Sequence, residues 1–218
     1  DASYQSWMWK RHAGFDVVCY KTSGSTGVEM VPHSMNNTPE MYWVKARTSG
    51  GTNDQWAVYH KNLNGGTNPD QYYLWLNSTN AEASSEYYFG AAPTTSHFAV
   101  RRENGRTGDQ NQNYIAMLFA SVEGISKVGY YTGNGSTQTI TTGFQPRFVI
   151  IRRTDGTEDN WVVLDTARGW ASGDDKGLKL NSNAAQGTSE DYGAPTSTGF
   201  SLTSNGWVNY NTGKYIYY

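Results

Sequence analysis

Residues 128–154, VGYYTGNGSTQTITTGFQPRFVIIRRT, restate an earlier stretch, residues 18–48, VCYKTSGSTGVEMVPHSMNNTPEMYWVKART. Each places an aromatic near its start (Tyr20, Tyr130), passes a Gly/Ser/Thr turn, reaches a proline (Pro39, Pro146) and runs apolar into basic residues and a threonine. The correspondence continues downstream with a slowly shrinking separation. It is 110 residues at Val18, 105 from Trp56 to Trp161, 104 from Leu76-Asn77-Ser78 to Leu180-Asn181-Ser182, 102 from Pro93-Thr94 to Pro195-Thr196, and 101 from Tyr114-Ile115 to Tyr215-Ile216. Loop-length changes between two copies of one fold produce such a drift, so the 218 residues divide into a unit at 15–121 and a second at 122–218. Residues 1–14, with Trp7, Met8 and Trp9 ahead of Lys10-Arg11-His12, match nothing in the repeat. They are expected to connect to an upstream domain, with the tryptophans packed on that neighbour. The chain ends at Tyr218 where the first unit runs on to Ala120, so the second unit is expected to stop partway along its last strand, as in a fragment of a longer protein.

The pattern within each unit is β. Short apolar or alternating runs recur every 8 to 15 residues between Gly-, Asn- and Ser-rich turns. Strands are expected at Phe15–Thr22, Val28–Pro32, Met41–Arg47, Trp56–His60, Tyr72–Asn77, His97–Arg101 and Tyr114–Ser121. Seven more follow at Lys127–Thr132, Gln138–Thr142, Arg147–Arg153, Trp161–Asp165, Gly177–Asn181, Gly199–Thr203 and Lys214–Tyr218. The expected fold is therefore all-β: two tandem antiparallel sandwiches of about seven strands each. Phe148-Val149-Ile150-Ile151 is apolar on both faces, which places it centrally between two packed layers. Only 80–88 and 183–186 could form helical turns. The short link Val122-Glu123-Gly124 suggests close neighbours but leaves open whether the units share a core.

Charge and motifs exclude several functions. A net charge of −2 argues against binding a phosphate backbone, and no apolar run approaches the roughly 18 residues of a membrane helix. No nucleophile elbow, phosphate loop, HExxH or paired CxxC occurs, so neither catalysis nor a cofactor is expected. The single Cys19 cannot form an internal disulfide and, facing Gly129 in the alignment, reads as a small packed side chain. Histidines 12, 33, 60 and 97 are isolated, and His60 stands where the second copy has Asp165. Asp54 and Asp159 recur in matching turns and read as turn-capping residues rather than a catalytic pair. Glu86, Glu190 and Asp191 are the loosely placed carboxylates a glycan-cleaving site would need. Asp174 and Asp175, in Ser172-Gly173-Asp174-Asp175-Lys176-Gly177, are weak calcium candidates beside the ordinary reading of a solvated turn.

Aromatics are the better lead in a chain with 16 Tyr, 8 Trp and only 17% charged residues, a balance that suits contact surfaces. Those that recur in both copies, Trp56 with Trp161, Tyr20 with Tyr130 and Phe98 with Phe200, are assigned to the cores. Trp75, Tyr87, Tyr88, Trp170 and Trp207 are not matched in type by the other copy, and are the candidates for stacking on a glycan or a neighbouring subunit.

The runs Phe15-Asp16-Val17-Val18-Cys19-Tyr20, Trp56-Ala57-Val58-Tyr59-His60-Lys61-Asn62-Leu63 and Tyr114-Ile115-Ala116-Met117-Leu118-Phe119-Ala120 resemble a repeat family of structural proteins in marine and cyanobacterial tailed bacteriophages. In the second copy the likeness lies in 129–135, 161–169 and 180–182. In that family the repeats often sit beside laminin-G-like lectin domains in tail-fibre and other virion-surface proteins, and residues 7–10 resemble the join. The resemblance implies a non-enzymatic virion-surface or extracellular component, most simply part of a tail fibre contacting host surface glycans. It also implies assembly with other virion proteins and with copies of itself, as a homotrimer by analogy with fibres. A capsid decoration protein and a secreted carbohydrate-binding module are the alternatives. The motifs are strand and turn patterns and transfer no ligand residue.

Overall fold

The computed structural model describes residues 5–24, 26–48, 55–102 and 106–218; the turn at 49–54, with Asp54, lies outside the described residues. Sixteen strands are present among them. The first half contains β1 Phe15–Lys21, β2 Val28–Pro32, β3 Met41–Ala46, β4 Ala57–His60, β5 Tyr72–Trp75, β6 Ala83–Ser84, β7 His97–Arg101 and β8 Asn113–Phe119. The second contains β9 Gly129–Thr132, β10 Gln138–Thr141, β11 Phe148–Arg153, β12 Val162–Asp165, β13 Leu178–Lys179, β14 Pro195–Thr196, β15 Gly199–Leu202 and β16 Lys214–Tyr217. All fourteen expected strands are there, and the two extra ones, β6 and β14, are two residues long. Helix forms elsewhere than expected: 80–88 and 183–186 are not helical, while 3-10 turns occupy Leu63–Gly66 and Pro69–Gln71, and one α-turn, α1, spans Gly206–Asn209. The end of that stretch is drawn into the first half's core instead, where Tyr88 and the following Phe89 are buried.

The strands form four sheets in order β1-β8-β3-β4-β5-β6, β13-β12-β11-β16-β9, β10-β15-β14 and β2-β7, every pairing antiparallel. Side chains alternate across each strand, so each large sheet has two faces to cover. On β3, Tyr42 and Val44 meet Val31 of β2 and Phe98 and Val100 of β7 in one core. On β11, Val149 and Ile151 meet Ile140 of β10 and Phe200 and Leu202 of β15 in another. The opposite faces pack on each other. Met41 and Trp43 of β3, Val58 of β4 and Leu74 of β5 share one cluster with Ile150 of β11, Val163 of β12 and Ile216 of β16. The protein is thus a four-layer stack with the two large sheets back to back, and β11 is buried on both faces as its sequence predicts.

Strand order corresponds position by position between the large sheets: β1, β8, β3, β4, β5 against β9, β16, β11, β12, β13. Particular hydrogen bonds recur as well. Asn77 Oδ1 accepts from the Trp56 amide (3.0 Å) as Asn181 Oδ1 accepts from that of Trp161 (2.8 Å). The Tyr114 hydroxyl accepts from the Asp109 amide (2.7 Å) as that of Tyr215 accepts from Tyr210 (2.8 Å).

Pairing register corrects one correspondence. Tyr20 lies opposite Tyr114 and stacks on it at 5.3 Å, and Tyr131, not Tyr130, lies opposite Tyr215 and stacks at 4.9 Å. A one-residue slip inverts every side chain. Tyr130 is accordingly 64% exposed, and its partner in the other half is Cys19, which is exposed rather than packed.

Trp7 and Trp9 pack inward, while Met8 between them is exposed. The Trp9 ring stacks on Phe15 at 5.8 Å and meets Phe148 edge-on at 5.7 Å, the Trp7 ring lies 5.8 Å from Phe148, and both rings pack against the cluster between the large sheets. The link after β8 is a compact turn in which the Ser126 amide donates to the Val122 carbonyl (2.9 Å).

Candidate functional site

At one margin of the layer between the large sheets the packing opens into a cleft of about 340 Å³. Four tryptophans wall it: Trp7 and Trp9 from the N-terminal segment, Trp43 from β3 and Trp56 just before β4. Leu76, Met117, Phe148, Ile150, Val163 and Leu180 complete the apolar lining, and Asn77 is the one polar side chain in it apart from the indoles. Each wall has a local cause. Trp43 faces inward by strand alternation, opposite Val58 and Met117 in its pairings. Trp56 is held at the strand entrance because Asn77 Oδ1 accepts its amide and its carbonyl accepts from the Leu76 amide at 2.9 Å.

Trp7 is fixed by charge. Its Nε1 donates to Asp165 Oδ2 (3.1 Å), the same carboxylate accepts from Arg168 Nε (2.5 Å), and the Arg168 guanidinium lies 5.6 Å from the Trp7 ring. Burial raises the Asp165 carboxyl, but the Arg168 and Trp7 hydrogen bonds outweigh it and hold the group below the usual carboxylate range. Trp43 differs from Trp7. It is 5% exposed, and its Nε1 is buried without a hydrogen-bond partner among the described residues.

The residues singled out in the sequence lie elsewhere and do not converge. Tyr88 is 0% exposed, stacked on Tyr73 at 3.8 Å, with its hydroxyl accepting from Arg106. Trp170 is 3% exposed and donates from Nε1 to the Gly193 carbonyl (2.8 Å) inside the second half's outer core. Neither presents a face to solvent, and Tyr88 has a counterpart in type after all: Ser85-Glu86-Tyr87-Tyr88 aligns with Ser189-Glu190-Asp191-Tyr192, and Tyr192 is likewise buried. Trp75 is half-buried against Tyr73 and Tyr88. Tyr87 is 40% exposed with the Arg101 guanidinium 5.4 Å from its ring, and Trp207 is half-buried with Lys179 Nζ 4.5 Å from its ring.

Asp175 is buried, and its carboxylate accepts from the Ala171 (3.0 Å) and Tyr192 (2.9 Å) amides, so it organises its own loop while the neighbouring Asp174 is exposed. The two carboxylates have opposite surroundings and form no shared calcium shell. No group of three or more metal-ligating side chains occurs among the described residues. The loosely placed acids are also engaged: Glu86 with Arg101 (3.3 Å), Glu190 with Asn205 Nδ2 (2.8 Å) and Asp191 with the Gly193 amide (3.0 Å). No helix among the described residues is long and apolar enough to cross a membrane.

Sequence reading assigned Trp56 to a core and Trp7 and Trp9 to another domain, and so missed the cleft. The signal for it was the clustering of four of the eight tryptophans in residues 7–56.

An all-β stack of paired sheets with an aromatic cleft between them defines the class. Residues 4–218 match the family described as a domain of unknown function (DUF7483), and the chain belongs to that family. The match takes in both halves and the Trp7–Trp9 segment together. No curated protein and no solved structure matches the chain.

Proposed function

We propose that the chain is a non-enzymatic module of a virion surface, part of a bacteriophage tail fibre or similar appendage. In this reading its two halves are copies of one β-sandwich, it assembles with further copies of itself, and it contacts host surface glycans. The observation that carries the reading is how the acidic groups are used. Glu86 and the pair Glu190 and Asp191 belong to loops of different halves and are held by Arg101, Asn205 and the Gly193 amide, an arrangement suited to rigidity rather than to acid–base chemistry across a groove. The low charge of the chain and the exposed tyrosines Tyr87, Tyr130 and Tyr210 add support. Of the aromatics first considered, Tyr87 and Trp207 remain accessible for stacking, each beside a cation. Single contacts of that kind are weak, and display on several copies would make them effective.

The test is binding of the chain to immobilised bacterial surface polysaccharides, with its mass followed by light scattering. Avid binding by an oligomer is expected, weakened about tenfold by Tyr87→Ala combined with Trp207→Ala. The saccharide should be recovered at its original length. Shortened saccharide, or a monomer that binds none of the polysaccharides, would overturn the reading.

A further inference from the structure

The cations of this chain are unevenly placed. Two grooves of about 650 and 760 Å³ adjoin at Trp7, and Gln5 and Ala167 are also common to both. Of the 17 Lys and Arg, six line them: Lys10, Lys127 and Arg147 in the first, and Arg168, Lys176 and Lys179 in the second. Of the 19 Asp and Glu, Asp165 alone does so among the described residues, and its carboxylate is engaged by Arg168 and by Trp7 Nε1. A chain of net charge −2 thus gathers positive charge along one continuous surface. Other cations sit in ion pairs, as Arg11 does with Asp16, Lys61 with Glu40 and Arg153 with Asp155. Lys10, Lys127, Arg147 and Lys176 are exposed and have no ion-pair partner among the described residues. The shared fold does not demand this charge. Phe148 pairs with Asp165 as Met41 pairs with His60, which sets Arg147 where the first half has Glu40. Gathered like charges repel one another, and an anionic partner relieves that repulsion.

We propose that these joined grooves bind an acidic polysaccharide, whose carboxylate or sulfate groups pair with the lining lysines and Arg147. The proposal rests on the glycan-contact reading above and names the class of glycan. Charge spread along two connected grooves suits a chain with repeated anionic groups better than a single compact ion. Between the cations lie Gln5, Thr142, Gln145, Thr166, Ser182 and Gln186, neutral polar side chains that match sugar hydroxyls. Single-stranded nucleic acid is disfavoured, because its bases need open aromatic faces and the Trp7 ring is flanked by Phe148 at 5.8 Å and by the Arg168 guanidinium at 5.6 Å. At the far end Lys179 Nζ lies 4.5 Å from the Trp207 ring, so the second groove adjoins one of the two accessible aromatics.

The experiment measures binding of the full chain to alginate, dextran sulfate and dextran, which carry carboxylates, sulfates and no charge in turn. Binding to alginate or dextran sulfate but not to dextran is expected, weakening as salt is raised, and the better of the two identifies the anion. Lys127→Glu combined with Arg147→Glu, both exposed, should lower that affinity about tenfold. Lys21→Glu combined with Lys214→Glu makes the same charge change at exposed positions outside the grooves, and should leave affinity within about twofold. Equal losses in the two pairs, dextran bound as well as the charged polymers, or an oligodeoxynucleotide bound more tightly than either would overturn the proposal. Bacterial polysaccharides bound while alginate and dextran sulfate are not would sink the acidic site and leave the glycan reading standing. Charged probes bound through Lys127 and Arg147 while no bacterial polysaccharide binds would support the groove and sink the host-glycan reading.

Discussion

His60 carries a pH dependence that follows from where it sits. It is fully buried at the end of β4, with Nδ1 accepting from the Asn62 amide (3.1 Å) and Nε2 without a hydrogen-bond partner. Burial, and then the Lys61 ammonium, pull it down to about 3 against the opposing effect of the Tyr217 backbone. Below its ordinary value near 6.5 the unfolded chain takes up this proton and the folded chain does not, so stability falls by about 1.4 kcal/mol per pH unit as pH drops from there towards 3. Asp16 acts lower. Burial raises it, but the Ser34 and Arg11 hydrogen bonds prevail and its net shift is downward, so its contribution is present above about pH 4 and lost on further acidification. Urea titrations from pH 7 to 4.5 should therefore give a shallower fall in stability for His60→Asn, which keeps an acceptor for the Asn62 amide, than for the native chain. A second residue-scale test concerns volume. Gly129 pairs with Tyr217 where the first half pairs Val18 with Ala116, and a Cβ on Gly129 would overlap the Tyr217 ring. Gly129→Val should cost about 2 kcal/mol in the native chain, and much less in a Tyr217→Ala background, because the two sites exchange small for large. Additive effects in the double-mutant cycle would contradict that compensation.

At the scale of elements the N-terminal segment behaves as part of the fold. Trp9 contacts Phe15, Phe119 and Phe148, and so touches both large sheets, while Trp7 is tied to Asp165 of β12. Trp9→Ala should lower stability by about 2 kcal/mol, read as a shift of the urea midpoint at constant slope. A change within about 0.5 kcal/mol would mean the segment is a mere connector. Period-two patterning made the strands legible: Val28–Pro32 and His97–Arg101 have the bounds their sequences imply, because turn residues flank compact apolar runs. Aromatic matching failed at Tyr130, where two adjacent tyrosines left the register ambiguous and only the pairing of Tyr131 with Tyr215 resolves it. Trp170 was misread because loop side chains carry no periodic signal, whereas Tyr88 has a legible counterpart in the buried Tyr192. The cleft was invisible for another reason. Alternation shows that β3 and β11 are apolar on both faces, but not which sheet covers each face.

At the scale of the whole molecule, the back-to-back packing makes each half the cover for the other's inner face. Separated, each would expose residues such as Trp43 and Val58, or Ile150 and Val163, to water. Cross-half hydrogen bonds reinforce the junction. Trp161 Nε1 donates to the Trp75 carbonyl (2.9 Å), the Glu82 amide donates to the Thr154 carbonyl (2.7 Å), and the buried Arg152 guanidinium donates across to the Asn80 carbonyl and, within its own half, to that of Asp159. Burial depresses Arg152 only to about 10, so it stays charged at neutral pH, and these carbonyls with the nearby Asp159 are what make that burial tolerable. Two halves that share a common inner layer should therefore unfold as one unit. Scanning calorimetry of the chain tests this most directly. The account predicts a single transition whose van't Hoff enthalpy equals the calorimetric enthalpy; two resolved transitions, or a calorimetric enthalpy about twice the van't Hoff value, would contradict it.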